Sequence, residues 1–201
     1  MSVLTNTERL ILRRFTADDA KNLYELDNDP EVMRYINGGI PTPRHVIDND
    51  ILPVFLHYDE RYPAFGFWAA VERATGEFLG WFSLRPVGDD PGTVVLGYRL
   101  RRAFWGRGYA TEGARALIKQ GFREPTVRRV TATTYEHNIA SRRVMEKCGM
   151  TLARHFRLTP DDLAAMDTHV ASQEIWDGDD VEYALDRADW ERQNRHDPTE
   201  R

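Results

Sequence analysis

Residues 105–112 read Trp105-Gly106-Arg107-Gly108-Tyr109-Ala110-Thr111-Glu112, and the fold turns on this run. Before it, Val94 to Leu100 has the pattern of a strand. After it, residues 108–123 place Ala110, Ala114, Leu117, Ile118 and Phe122 on one helical face. A glycine-containing turn at a helix start leaves several backbone N–H groups without intrahelical acceptors, and the helix dipole adds positive potential there. That combination suits phosphate. Gly106 and Gly108 let a ligand approach the backbone closely, and Arg107 adds charge. An ordinary strand-to-helix turn explains the same residues without any ligand. Two better-known phosphate loops do not fit. A P-loop needs Lys and Ser/Thr after the last glycine, where Tyr109 and Ala110 stand. A dinucleotide fingerprint needs a third Gly or Ala at Thr111 and an acidic residue where Arg128 and Arg129 lie.

A second run, Asn138 to Met150, reads Asn-Ile-Ala-Ser-Arg-Arg-Val-Met-Glu-Lys-Cys-Gly-Met. Asn138 suits an N-cap, Lys147 a last turn and Gly149 the position just beyond it. Ala140, Val144 and Cys148 share a face, with Ser141 near the N-terminal end. A capped amphipathic helix accounts for most of these residues.

Together the two runs resemble the GNAT superfamily of N-acetyltransferases, whose acyl-CoA loop is written Q/R-x-x-G-x-G/A and is followed by N-x-x-S and E-K-x-G-F/M. The loop here is Trp105 to Ala110. The RimJ/RimL branch, which acetylates ribosomal-protein N-termini, is similar in further landmarks. These are Thr7 to Arg13, Asp29-Pro30-Glu31-Val32, Gly97-Tyr98 and Gly108 to Glu112. The likeness runs in order over roughly residues 7–190. It implies an α/β (α+β mixed) fold: one GNAT-like domain over 1–194, with a central, mostly antiparallel twisted sheet flanked by helices. Residues 195–201 are then a polar, frayed tail. It implies acetyl-CoA as co-substrate, held by Leu100, Arg101, Arg102, Trp105, Gly106, Arg107, Gly108, Tyr109, Ala110 and Thr111, with Asn138 along the cofactor arm. The strand ending at Leu100 would pair with the pantetheine, backbone donors near Gly97 to Arg99 would polarise the acyl carbonyl, and Ser141 would serve the departing sulfur. The sequence departs from the pattern twice. Trp105 stands where the motif has Gln or Arg, and Val95 stands where the branch commonly has an acidic residue.

Composition bounds the rest. The 201 residues, 41% hydrophobic and 11% aromatic, fit one globular domain. A net charge of −5 argues against a nucleic-acid binder. Arg99, Arg101, Arg102 and Arg107 nevertheless cluster around the proposed phosphate loop. The single cysteine, Cys148, reads as a small core residue and fits a reduced cytoplasm. No apolar leader or membrane span is legible, and the six histidines show no metal-ligand spacing. A homodimer is compatible with the resemblance.

The chemistry is direct attack of a free amine on a thioester, which needs placement, oxyanion stabilisation and proton handling. An α-amine, with an ordinary pKa of about 7.7–8.0, is partly neutral at pH 7, whereas a lysine amine near 10.4 is not. Loss of the acid at Val95 therefore suits an α-amine better than a lysine. Glu136, His137 and Tyr98 are the remaining proton acceptors in reach, and each also has a plain surface or core reading. Protein N-terminus, amino acid, polyamine and aminoglycoside stay open as acceptors. A CoA-binding domain without catalysis is the alternative class.

Overall fold

A computed structural model describes residues 3–88, 90–157, 159 and 178–195. Eight strands form one sheet in the order β1-β2-β3-β4-β5-β6-β8-β7. They are β1 (Val3–Asn6), β2 (Leu10–Arg13), β3 (Gly66–Glu72), β4 (Phe78–Val87), β5 (Asp90–Leu100), β6 (Arg129–Tyr135), β7 (Thr151–Phe156) and β8 (Asp180–Asp186). Among the described residues every strand pairing is antiparallel except β5 with β6. The helix α5 (Tyr109–Arg123) makes that parallel crossover.

Alternation along β3 shows how the sheet is covered. Trp68 and Ala70 face a core shared with Ala114, Leu117, Ile118 and Phe122 of α5. Phe67 and Ala69 face a second core with Leu23 and Leu26 of α1 (Ala20–Asp27) and Phe55 of α4 (Leu52–Arg61). Successive strand side chains point to opposite faces, so two helical layers bury both. α5 lies unusually close to β4. A Cβ on Gly113 would stand 2.2 Å from the Phe82 ring, which only glycine avoids.

The structure adds elements that the sequence reading lacked. α2 (Pro30–Asn37) occupies a stretch whose prolines, Pro30, Pro41 and Pro43, hide its helical pattern. Its Asp29 cap accepts from the Glu31 N–H at 3.0 Å, and Pro30 at the helix start loses no hydrogen bond. β1 and α7 (Arg187–Asn194) were likewise not anticipated. β5 starts earlier than the strand pattern at Val94, after a stretch, 89–92, whose sequence reads as a loop, because it already pairs with β4 at Val87↔Asp90. The helical run from α3 (Arg44–Val46) to α4 is interrupted by a π segment over Ile47–Ile51, while Pro53 sits harmlessly in the first turn of α4. α6 (Ile139–Lys147) matches its expected span. The expectations for residues 160–177 and for the tail beyond 195 lie outside the described residues. No helix among the described residues is long and apolar enough to cross a membrane.

Candidate active site

β5 and β6 pair only from Thr93↔Arg129 to Val95↔Thr131. Beyond that point β5 continues to Leu100 against β4, and β6 continues to Tyr135 against β8. The two strands therefore part at their carboxyl ends, and a cleft of about 1630 Å³ opens there. Leu96, Gly97 and Tyr98 line one wall, Thr133 and Thr134 the other. The β5 edge facing the cleft carries peptide groups with no partner strand, which an extended amide chain can pair with.

At the head of the cleft the chain turns through a 3₁₀ segment, Arg102–Phe104, into α5. Gly106 and Gly108 have φ of 73° and 85°, the left-handed region that costs any other residue strain. Gly108 is the N-cap and its carbonyl accepts from the Glu112 N–H. The backbone N–H groups of residues 106–111 have no acceptor among the described residues. Trp105 has a role that its departure from the motif did not suggest. Its indole N–H donates to the Leu100 carbonyl at 2.8 Å and so closes the turn where β5 ends.

The expected cofactor residues divide. Leu100, Trp105, Gly106, Gly108, Tyr109, Ala110, Thr111, Asn138 and Ser141 all line the cleft. Arg101, Arg102 and Arg107 do not. Arg101 donates to Glu25 at 2.7 Å, and Arg102 Nε lies 3.3 Å from Asp29. With Arg99 on Asp27 at 2.6 Å, three of the four clustered arginines dock the acids of the α1–α2 region. Arg107 makes no ion pair with a described residue, and its guanidinium lies over Phe104 at 5.7 Å. Tyr109 hydrogen-bonds Glu72 and is covered by Arg9 at 4.5 Å, so its side chain is engaged structurally.

On the opposite wall Asn138 caps α6. Its carbonyl oxygen accepts from the Ser141 N–H at 3.2 Å, and its amide donates to Thr134 at 3.1 Å. The N-x-x-S spacing is thus a capping relation that also presents Ser141 to the cleft. Tyr98 meets that serine at 2.9 Å. Burial raises the Tyr98 pKa against the opposing Ser141 hydrogen bond, so at neutral pH the phenol is a donor and not a base. His137 is exposed, with Glu136 at 3.8 Å. Burial pushes the Cys148 thiol up to about 11, and its Sγ packs against the Thr111 carbonyl at 3.8 Å. It is a core residue and no nucleophile.

Two features were invisible in the sequence. Asp27, 2% exposed, lines the cleft beside Arg99. Glu136, His155 and Asp179, too far apart in the chain to show metal-ligand spacing, bring one ligand atom each within 4.8 Å of one another. Arg157 Nε stands 3.8 Å from Asp179, so a positive charge already lies beside these acids.

Comparison with known proteins agrees with this geometry. Residues 9–151 match the family model described as "Acetyltransferase (GNAT) domain". An FsC-acetyl coenzyme A-N(2)-transacetylase of Aspergillus fumigatus is 34% identical over 161 residues, 75% of this chain and 66% of that relative's length. The chain thus spans just under two thirds of that protein. RimL, a ribosomal L7/L12 α-N-protein acetyltransferase solved with coenzyme A, is 18% identical with a TM-score of 0.71, over 92% of this chain and 98% of that one. The aminoglycoside acetyltransferase AAC(6′)-Ib, also solved with coenzyme A, is 22% identical with a TM-score of 0.67, over 91% and 98%. At those identities the structures share the fold. The family match, carried by the same turn and cleft, makes this chain a member of the GNAT family and an N-acetyltransferase.

Proposed function

We propose that the protein transfers the acetyl group of acetyl-CoA to a primary amine of a small molecule by direct attack. The carrying observation is the parting of β5 from β6 beneath the row of unaccepted N–H groups at residues 106–111. In this reading the pyrophosphate sits on those donors at the positive end of α5. The pantetheine pairs with the open β5 edge and passes Asn138. Backbone donors near Gly97 polarise the thioester carbonyl, and Ser141 with Tyr98 serves the departing thiolate. Arg107 supplies charge near the phosphates, while Arg101 and Arg102 act through α1 and α2. No step is routed through a metal.

The numbered acceptor nitrogen in the name of the 34% identical N(2)-transacetylase, and the ribostamycin bound with coenzyme A in a structure of AAC(6′)-Ib, support a small-molecule acceptor. The RimJ/RimL resemblance supports a protein N-terminus as the second reading, carried by the landmarks at Asp29 to Val32 and Gly97-Tyr98. Acetyl-CoA use and the buried, reduced Cys148 favour the cytoplasm. A thiol-release assay with putrescine, ornithine, kanamycin and a short peptide with a free N-terminus separates these readings. Turnover on a small amine above that on the peptide is expected. CoA binding without turnover on any amine would defeat the acetyl-transfer proposal, and peptide-only turnover would defeat the small-molecule choice.

A further inference from the structure

α1 ends at Asp27, whose side chain is 2% exposed and lines the cleft. Its Oδ1 accepts from Arg99 Nη1 at 2.6 Å. Its Oδ2 accepts no hydrogen bond from a described residue, although a carboxylate oxygen has room for two. This oxygen is not sealed away from the cleft, so it can accept a hydrogen bond from a ligand there.

The partner fixes where this oxygen stands. Arg99 lies on β5 opposite Trp81, and its guanidinium packs over the Trp81 ring at 5.3 Å. By strand alternation Arg99 shares its face with Gly97 and Val95, the face covered by α1 and α4 and opposite to α5. Gly97, two residues away, is about 7 Å along the strand. Asp27 therefore approaches the acyl-bearing stretch of β5 from the side that must admit the second substrate. Tyr35 and Trp81 line the same part of the cleft. Of the other cleft carboxylates, Glu31 and Glu182 are paired with Arg34 and Arg154, while Asp180 lies on β8, beyond β6, among the acids Asp179 and Glu136.

Resting on the acetyl-transfer reading above, we infer that Asp27 Oδ2 is the group that holds the attacking amine. It accepts one N–H of the neutral amine and so aims the nitrogen lone pair at the thioester carbon. As the N–C bond forms, the carbonyl electron pair moves to oxygen and the nitrogen gains positive charge beside the carboxylate. Collapse breaks the C–S bond. The nitrogen gives one proton to water and the thiolate gains one, so the step balances. Outside turnover the carboxylate also pairs with the protonated form of the amine, a charge that a hydroxyl of the same shape does not carry, so the site discriminates amine from alcohol.

Asp27→Asn keeps the Oδ1 contact with Arg99 and removes the charge. The substrate is whichever of putrescine, ornithine or kanamycin wild type turns over fastest. Its kcat/KM should fall on the order of 50-fold, within the range of a charge-assisted hydrogen bond. CoA affinity by calorimetry should stay within about twofold of wild type. An unchanged kcat/KM in a folded Asp27→Asn variant overturns the inference. A wild type that binds no CoA would instead sink the acetyl-transfer reading, so the two failures are distinct. A second measurement needs no variant. Against wild type, the N,N-dimethyl analogue of the same amine should inhibit at least tenfold more tightly than its hydroxyl analogue. Equal inhibition overturns the inference.

Discussion

The Tyr98 hydroxyl lies 2.9 Å from Ser141 Oγ and 3.2 Å from the Ser141 carbonyl, joining β5 to the first turn of α6. Burial keeps the phenol protonated, so the pair is a short donor chain that ends at the cleft. Ser141→Ala and Tyr98→Phe should each lower kcat by about tenfold with CoA affinity nearly intact, as expected for interactions made only in the transition state. The double variant should be little worse than either single one, because the two act as a unit. Single-turnover thiol release reads this, and additive losses would show that they act separately.

Gly108→Val should weaken CoA by tenfold or more. A β-branched residue at φ 85° is strained by about 1–2 kcal/mol or shifts the turn, and either outcome disturbs the row of donors. Calorimetry on the folded variant checks this. Undiminished affinity would remove the phosphates from the loop.

Arg107→Ala and Arg102→Ala should part company in salt. Arg107 lies beside the loop without an ion-pair partner among the described residues, so its loss should weaken CoA more at low than at high ionic strength. Arg102 is engaged with Asp29, and its replacement should change CoA affinity little at either. Binding titrations at about 0.02 M and 0.5 M salt distinguish them through the change in Debye length.

Acid should destabilise the fold in a window set by Glu112 and Asp19. Burial opposes ionisation of Glu112, but hydrogen bonds from Thr7 and from the Arg9 N–H and guanidinium outweigh it and hold the carboxyl below its ordinary 4.5. Burial likewise opposes ionisation of Asp19, and Arg13 with Thr16 outweighs it, below an ordinary 3.8. Both folded pKa values are depressed, so the unfolded chain binds these protons first. Their stabilisation is complete above about pH 5 and is lost as pH falls through the folded values. The melting temperature of wild type should drop between about pH 5 and 3, and Glu112→Gln should start lower and fall less steeply.

How much of this was legible depends on whether a signal was local. The donor row at residues 106–111 follows from two glycines and a helix start, and the Asn138 cap follows from one residue at one helix end. Both are written within a few positions of sequence. α2 is masked because Pro30, Pro41 and Pro43 together resemble loop punctuation, although Asp29-Pro30 is itself a start signal. The destinations of Arg99, Arg101 and Arg102 were not legible. Beside a phosphate loop they read as anion ligands, and only the fold reveals acids from α1 and α2 within reach. Asp27 is the sharpest case. Its partner is 72 positions away, and on its own helix it is merely one more polar residue.

The docking of α1 and α2 onto the end of β5 has a consequence for how such a protein diversifies. Because Arg99 belongs to β5 and Arg101 and Arg102 follow directly after it, the proposed reading gauges both substrates from a common ruler. Residues of α1 and α2 that point between these clamps can be exchanged while the ruler stays fixed. A lineage could then change the amine it accepts by rewriting one short helical segment, leaving the bed of the shared co-substrate as it was.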